Sequence, residues 1–212
     1  MHITSSNLST YLFSMYSTQK LIARGDVTGF VPLLQKDFGG SNDCTLTSIT
    51  AIINHATGNT HNVDKIYAQV EAVAQNNFYE INGNGTMPLA IRTIFNNSIK
   101  PYSKRTSCVR YGKDIGYGYD FIKEQIDNNN PILLSLHKDG LGYYENHSVT
   151  IIGYREYSHH KLIKIYDNWS KQPSYLDYDK LSTISSLHCL CGKNHSFLDF
   201  LWSIVCSLFG KK

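Results

Sequence analysis

The 212-residue chain is long enough for one domain with a substantial core and short for two. A hydrophobic fraction of 42% and a charged fraction of 17% are typical of a folded globular protein and exclude a disordered or fibrous chain. The net charge of +3 comes from Lys and Arg residues spread along the chain without a basic run, so we expect no nucleic acid partner.

The cysteines exclude a complete disulfide framework, because an odd number leaves at least one unpaired. They are Cys44, Cys108, Cys189, Cys191 and Cys206. The first residues, MHITSSNLSTYLFSMYSTQK, lack the early positive charge, continuous apolar run and small-residue cleavage site of a secretory signal. We therefore expect a cytoplasmic protein, with secretion left open.

Residues 1–30 are treated as an N-terminal arm whose structure the sequence leaves open. After Val31, a proline and paired glycines predict an irregular loop. Asp43 then has the side chain of a good helix N-cap, and apolar residues recur at helical spacing up to the stop signal Gly58. This pattern predicts a helix over residues 43–57.

Further along the chain, the apolar spacing changes from that of helices to that of strands. Amphipathic and capping patterns predict three helices, within residues 62–75, 86–97 and 117–130. Segments rich in β-branched and aromatic residues predict strands within residues 131–137, 147–157 and 161–169. Helices followed by neighbouring strands indicate an α+β fold with an antiparallel sheet, in a domain over residues 31–187.

Cys44 lies where the predicted loop becomes a helix, a position that suits a nucleophilic thiolate. The unsatisfied N–H groups and the dipole of a helix N-terminus favour negative charge, and a nearby imidazolium favours it more strongly. His147 is the best candidate for that imidazolium, because it begins a predicted strand and would stand at the end of the sheet. Taken alone, an unpaired cysteine is more often a small buried hydrophobe, so the argument depends on the accompanying residues.

Polar residues at two other places complete a catalytic pattern. The strand after that of His147 ends in IYDNW, which offers Asp167 or Asn168 to hold the imidazole in one tautomer. Gln35 lies in the loop that leads to Cys44, and its amide and the Cys44 N–H are candidate donors to an oxyanion. Gln, Cys, His and Asp in this order indicate acyl transfer from a peptide or amide.

The stretches VPLLQ…DCTLTSITAIINHATG, NHSVTIIGY and IYDNW resemble the papain-like cysteine peptidases, and most closely the C39-like branch found in bacteria. The resemblance runs from about residue 31 to about residue 181. It implies a papain-like α+β fold, in which a helical half headed by the Cys44 helix packs against a twisted antiparallel sheet. It also implies Cys44 as nucleophile, His147 as general base and acid, Asp167 as orienter and Gln35 in the oxyanion hole. Relatives carry the polar orienter two residues before an aromatic, which favours Asp167 over Asn168.

The resemblance implies a cysteine peptidase without a cofactor, acting on a peptide or protein, but it does not identify the substrate. The spacing from Gln35 to Cys44 fits the C39-like branch, whereas Thr45 stands where relatives often have Gly, Glu or Trp. No ATP-binding or membrane-spanning transporter segment follows, so the bacteriocin-processing transporters of the broader group are not the match. Two alternatives stay open: an acyltransferase or transglutaminase-like enzyme with the same triad, and a non-catalytic binding module.

The residues beyond the predicted domain carry two features of their own. His188, Cys189, Cys191 and His195 are metal-ligand types, but one residue between the cysteines is not the usual zinc spacing, so we expect a surface loop with reduced thiols and no metal. Residues 196–209 predict an apolar helix with a narrow polar stripe, which at about 21 Å is too short to cross a membrane. We expect it to pack on the domain or on a protein partner, with a membrane surface as the alternative.

Overall fold

Helices and an antiparallel sheet form the protein, as seen in a computed structural model of the chain. The structure describes residues 2–15, 18–39, 42–77, 79–80 and 85–191. Its α+β composition confirms the predicted fold class and is consistent with a papain-like fold.

The helices after residue 42 lie close to where the capping and apolar patterns predict them. The α-helices are α1 (Leu8–Met15), α2 (Cys44–Ala56), α3 (Val63–Gln75), α4 (Pro88–Ile99) and α5 (Tyr119–Asp127). Short 3-10 helices cover Gln35–Phe38 and Tyr178–Lys180. The helices predicted over 43–57 and 62–75 are thus confirmed as α2 and α3.

The strands include more of the chain than the sequence pattern predicts. They are β1 (Ile3–Thr4), β2 (Leu21–Asp26), β3 (Tyr79–Glu80), β4 (Gly85–Thr86), β5 (Thr106–Tyr111), β6 (Ile132–Lys138), β7 (Glu145–Tyr157), β8 (Lys161–Tyr166), β9 (Ser174–Asp177) and β10 (Ser185–Cys191). Strands β6, β7 and β8 confirm the three predicted strand segments. Strands β5, β9 and β10 were not predicted, because their short runs lack a clear alternation.

Strand β7 organises the larger sheet. Within the described residues this sheet has eight strands. Seven of them follow the order β1-β9-β8-β7-β6-β10-β5. The eighth, β2, pairs with residues 153–157 of β7, beyond the part of β7 that pairs with β6. Neighbouring strands run antiparallel. His147 lies near the start of β7, opposite Leu136 of β6, so it stands at one end of the sheet.

The sheet separates two hydrophobic cores. Leu133 and Leu190 point to one face and pack with α2, α3 and α4, whereas their neighbours Leu134 and Cys189 point to the other face and pack with α5. This alternation is the ordinary period of a strand. Because α2 is buried along most of its length against this sheet, its first residue is held in a fixed position over β7.

The N-terminal residues are part of the sheet. Residues 1–30, expected as an arm of undecided structure, contribute β1, α1 and β2. Ile3 of β1 pairs with Tyr175 of β9, and buried Ile3, Tyr11 and Leu12 pack with Leu162 in a small core of their own. The structure therefore extends the folded unit toward the N-terminus.

The expected loop with reduced thiols is wrong for the residues up to 191. Strand β10 lies inside the sheet between β6 and β5, and its register places Cys189 opposite Cys108. Cys191, two residues further along β10, forms a disulfide with Cys108, and Cys189 is a buried free thiol. The sequence pattern does not predict this disulfide, because the strand that carries Cys108, β5, has no clear strand pattern in the sequence.

The other C-terminal predictions lie outside the described residues. These are the position of His195 and the helix expected over residues 196–209. Among the residues that are described, no helix has the length and apolar character needed to span a bilayer.

Candidate active site

The first turn of α2 presents Cys44 to a cleft. Cys44 is the first residue of the helix, and Asp43 precedes it as the N-cap residue. The buried Asp43 carboxylate accepts a hydrogen bond from the hydroxyl of Tyr67 at 2.7 Å, while the Asp43 carbonyl accepts the N–H of Thr47. These bonds fix the start of the helix to α3. Cys44 therefore lies at the N-terminus of a helix whose start is hydrogen-bonded to α3 through Tyr67.

His147 extends from β7 toward the same point. Its ring is buried, and Nε2 donates to the main-chain carbonyl oxygen of Asp167 at 2.8 Å. The imidazole of His147 also hydrogen-bonds the Cys44 thiol. Since Nε2 is used by Asp167, the nitrogen that faces the sulfur is Nδ1. The carbonyl thereby fixes the tautomer and directs the unprotonated nitrogen at the thiol.

The surroundings of Cys44 favour its thiolate. Burial raises the pKa of the Cys44 thiol, but the hydrogen bond and charge of His147 and the main-chain N–H groups of Ser148 and Thr45 lower it by more. The net pKa of Cys44 is below the ordinary value for a cysteine. A lowered pKa favours the thiolate form of Cys44, the nucleophilic form of a cysteine.

Aromatic rings hold the imidazole on its flanks. Trp169 stacks on His147 with ring centroids 4.2 Å apart, and the Tyr144 ring lies nearly parallel to it at 5.7 Å. Trp169 is half-exposed and lines the cleft, so it limits access of water to one side of the imidazole. Its ring also offers a flat apolar surface to anything bound beside the thiol.

The Asp167 carboxylate has partners other than the imidazole. Its Oδ1 accepts the N–H groups of Trp169 and Ser170, both at 3.0 Å, and its Oδ2 accepts the hydroxyl of Tyr144 at 2.9 Å. The sequence predicted contact through the side chain, whereas the structure brings the main-chain carbonyl to His147. The carboxylate shapes the turn that carries this carbonyl, and the turn positions the ring.

Asn168, the alternative orienter, joins the two halves of the site. Its side-chain Nδ2 donates to the Cys44 carbonyl at 2.9 Å, to Ser48 Oγ at 2.9 Å and to the Ser148 carbonyl at 3.0 Å. Its own carbonyl accepts the N–H of Gln35 at 2.9 Å. This buried asparagine therefore fixes α2 and β7 to each other through its side-chain amide, and the loop of Gln35 to both through its main-chain carbonyl.

The backbone at Asn168 has φ of 66°, a left-handed conformation that asparagine tolerates better than most residues. This conformation turns the chain sharply after β8. Consequently the carbonyl of Asp167 faces His147 while the next side chain, that of Asn168, faces α2. An asparagine here serves both the turn and the hydrogen bonds.

Gln35 reaches the same cleft from the 3-10 helix before α2. The side chain is buried, and its Oε1 has no hydrogen-bond partner among the described residues. Gln35, Cys44, His147 and Trp169 together line a cleft of about 770 Å³. Gln35, Cys44 and His147 therefore lie together in one cleft, and Asp167 reaches His147 through its main-chain carbonyl.

A separate group of possible metal ligands lies away from this cleft. The ligand atoms of His160, Asp177 and Asp179 lie within 4.8 Å of one another. The buried Asp177 carboxylate already accepts the hydroxyl of Tyr11 and lies 3.6 Å from His160 Nδ1. This grouping stabilises the attachment of α1 to the sheet, and we assign it no part in the site.

The fold and the site define a class of protein. A cysteine at a helix N-terminus paired with a histidine on an antiparallel sheet is the arrangement expected of a papain-like protein. The chain belongs to the Peptidase C39-like family, whose model matches residues 27–186. This match confirms the resemblance predicted from the sequence, and the family is one that suggests peptidase activity. No curated protein matched the chain.

Sequence reasoning missed three features of the site. The stacking of Trp169 on His147, the contribution of the Ser148 N–H and the amide bonds of Asn168 all depend on tertiary contacts. One signal was available: the DNW stretch places an asparagine, which suits a left-handed turn, directly after a strand.

We predict that Asn168 is a major determinant of stability. Asn168→Gly keeps the left-handed backbone but leaves the Cys44 and Ser148 carbonyls without their amide donor, so we expect a loss of about 2–4 kcal/mol in the free energy of unfolding. Asn168→Ala should lose about 1 kcal/mol more, because a Cβ disfavours this φ. Urea unfolding of both variants measures these losses. Unfolding free energies within about 0.5 kcal/mol of the wild type would contradict this role.

Proposed function

We propose that the protein is a cysteine peptidase that hydrolyses a peptide or amide bond through a thioester on Cys44. The observation that carries this proposal is the pairing of the Cys44 thiol with His147, together with the lowered pKa of that thiol. A buried free cysteine without such partners behaves in the opposite way: burial raises the pKa of Cys189 to about 12. The membership of the C39-like family supports the same class of reaction.

The reaction begins with the thiolate. Cys44 Sγ attacks the carbonyl carbon, and the π electrons of the carbonyl move to oxygen to give a tetrahedral oxyanion. The imidazolium of His147 then transfers its Nδ1 proton to the leaving nitrogen, the C–N bond breaks, and a thioester remains on Cys44. Neutral His147 next takes a proton from water, the hydroxide adds to the thioester, and collapse expels the thiolate and reforms the ion pair.

Gln35 and the Cys44 N–H are the proposed donors to the oxyanion. Gln35 lines the cleft beside Cys44, and the N–H of Gln35 is held by the Asn168 carbonyl. The Gln35 side chain is buried and lines the cleft, so its Nε2 is the proposed side-chain donor. Preorganised donors of this kind stabilise the charge that develops on the carbonyl oxygen, and each is worth about 3–4 kcal/mol in comparable sites.

The histidine is oriented by the main chain in this proposal. The Asp167 carbonyl accepts Nε2–H at 2.8 Å, and the rings of Trp169 and Tyr144 both pack against the imidazole. The Asp167 carboxylate acts one step further away, by accepting the N–H groups that define the turn. Asp167 is therefore a positioning residue, while Cys44 and His147 carry the chemistry.

Peptide cleavage in ¹⁸O-labelled water tests the function. The purified chain is incubated with a proteome-derived peptide mixture, and new termini are read by mass spectrometry. We expect new carboxyl termini that carry ¹⁸O, and no cleavage by Cys44→Ala, whose thermal stability should match the wild type. Cleavage that persists in Cys44→Ala would overturn the assignment. Parallel reactions with added glycinamide separate hydrolysis from acyl transfer, because an acyltransferase would give mainly the glycinamide adduct.

Replacement of the Asp167 carboxylate tests how the histidine is oriented. We expect Asp167→Asn to lower kcat/KM by about tenfold or less, because an amide oxygen can still accept the turn N–H groups and the carbonyl is unchanged. If the Asp167 carboxylate were bonded directly to the imidazole, its replacement by an amide would instead lower the rate by a factor on the order of 10⁴. Asp167→Ala is the matched variant that removes the acceptor and should lose more activity. A loss near 10⁴ in Asp167→Asn would contradict orientation by the carbonyl.

A further inference from the structure

A row of hydroxyl groups crosses the sheet beneath the cleft. The strand register sets Ser148 of β7 opposite Ser135 of β6, Ser135 opposite Ser186 of β10, and Ser186 opposite Tyr111 of β5. Residues directly opposite on neighbouring strands point to the same face of a sheet. All four residues line the cleft that contains Cys44. The cleft therefore has a polar floor, which the sequence motifs did not predict.

This row begins beside Cys44. The hydroxyl of Ser148 hydrogen-bonds that of Thr45, the residue after Cys44, at 2.8 Å. Neighbouring strands lie about 4.8 Å apart, so Ser186, two strands further on, lies about 10 Å from Ser148. An extended peptide advances about 3.3 Å per residue. A substrate bound across the strands would thus present its second or third residue from the scissile bond to Ser135 and Ser186, with Tyr111 at the far side of Ser186.

His188 contacts the Ser186 hydroxyl from the next position on the same face of β10. The imidazole is fully buried, and its Nε2 lies 3.0 Å from Ser186 Oγ. Burial, assisted by the charge of Arg92, lowers the pKa of His188 to about 3, so this ring is neutral at ordinary pH. A buried neutral ring of this kind has one N–H to place, and its position decides how Ser186 is polarised.

The tautomer follows from the other ring nitrogen. His188 Nδ1 is buried without a hydrogen-bond partner among the described residues. An orphaned N–H is costlier to bury than an orphaned lone pair, so the proton belongs on Nε2, which then donates to Ser186 Oγ. The hydrogen of the Ser186 hydroxyl is consequently left to donate into the cleft.

The charged and apolar groups of the cleft lie at its mouth. Glu145 is exposed and pairs with Lys138 at 3.4 Å, at the outer end of β6 and β7. Met87, Leu89 and Ile184 form exposed apolar rims, with 56%, 73% and 69% of their surfaces accessible. Among the described residues the floor itself carries hydroxyl groups and no carboxylate or ammonium group. The charge of Arg92 acts on Tyr111 and His188, but Arg92 does not line the cleft. A cationic substrate side chain on this floor would therefore lack a counter-ion, at a large desolvation cost.

We propose that Ser135, Ser186 and Tyr111 form a specificity subsite for an uncharged hydrogen-bonding side chain, of which a carboxamide fits best. A carboxamide accepts from the Ser186 hydroxyl and donates to neighbouring hydroxyl oxygens, so it satisfies more of the floor than an alcohol does. The apolar rims cover the aliphatic stem of such a side chain. This inference rests on the proposed peptidase function. It specifies that the cleft selects substrates with an uncharged hydrogen-bonding side chain at this position.

A positional-scanning library of internally quenched peptides tests the subsite. Each position within three residues of the scissile bond is fixed in turn as Gln, Asn, Ser, Leu, Lys or Glu, and kcat/KM is measured. At one position two or three residues from the cleaved bond, we expect Gln or Asn to exceed Leu, Lys and Glu by about tenfold, the value of one good hydrogen bond.

Variants of the floor residues show which hydroxyl groups cause the preference for Gln or Asn. Ser186→Ala and Ser135→Ala should each reduce that preference at least severalfold, and Ser186→Thr, which keeps the hydroxyl, should restore it. Ser107→Ala is the matched control: this buried serine lies on β5 in the same sheet, outside the cleft lining, and its hydroxyl has no partner among the described residues. It should leave the profile unchanged.

The outcomes separate this inference from the proposed function. A wild-type profile that favours Leu at every position, or a Gln preference that survives in both Ser186→Ala and Ser135→Ala, would overturn the subsite while leaving the peptidase assignment intact. Failure of the wild type to cleave any peptide would overturn the peptidase function and the subsite with it. Thermal unfolding of each variant shows that a changed profile comes from a folded protein.

Discussion

The hydrogen bonds of one buried asparagine hold the candidate site together. The side-chain amide of Asn168 contacts the carbonyl of Cys44 on the helical side and the carbonyl of Ser148 on the sheet, and the main-chain carbonyl of Asn168 accepts the N–H of Gln35. The Thr45–Ser148 hydroxyl pair and the hydrogen bonds of Cys44 to His147 and Ser148 also join the helix N-terminus to β7, but among the described residues the amide of Asn168 alone bonds main-chain carbonyls on both sides. The distance between the thiol and the imidazole is therefore a property of the fold.

The chemistry of Cys44 results from a balance of opposing effects. A thiol removed from water prefers to stay protonated, and Cys189 shows that tendency inside the same sheet. At Cys44 the helix N-terminus and His147 reverse it. The imidazole in turn is held by the carbonyl of Asp167 and by stacking with Trp169, so the lowered pKa of Cys44 depends on backbone geometry as well as on the imidazole.

Much of this arrangement could be predicted from local patterns. The N-cap and apolar spacing of α2 and the alternation in β7 are local signals, and they located Cys44 and His147 at a helix start and near a strand start. The role of the Asp167 carbonyl could not be predicted, because a sequence specifies the side chains but not the direction in which each main-chain carbonyl points. The disulfide between Cys108 and Cys191 and the hydroxyl floor depend on the pairing of β10 with β5 and β6, which no local pattern encodes.

The rate of alkylation by iodoacetamide as a function of pH, with the labelled residue identified by mass spectrometry, tests the thiolate and imidazolium pair most directly. We predict that the labelling rate of Cys44 in the wild type reaches half its maximum below about pH 8.5, the ordinary pKa of a cysteine thiol. In His147→Ala the midpoint should move above that value, because burial then acts without the imidazole. Cys189 serves as the slow internal reference. A Cys44 midpoint at or above 8.5 in the wild type, or one unchanged in His147→Ala, would contradict the account.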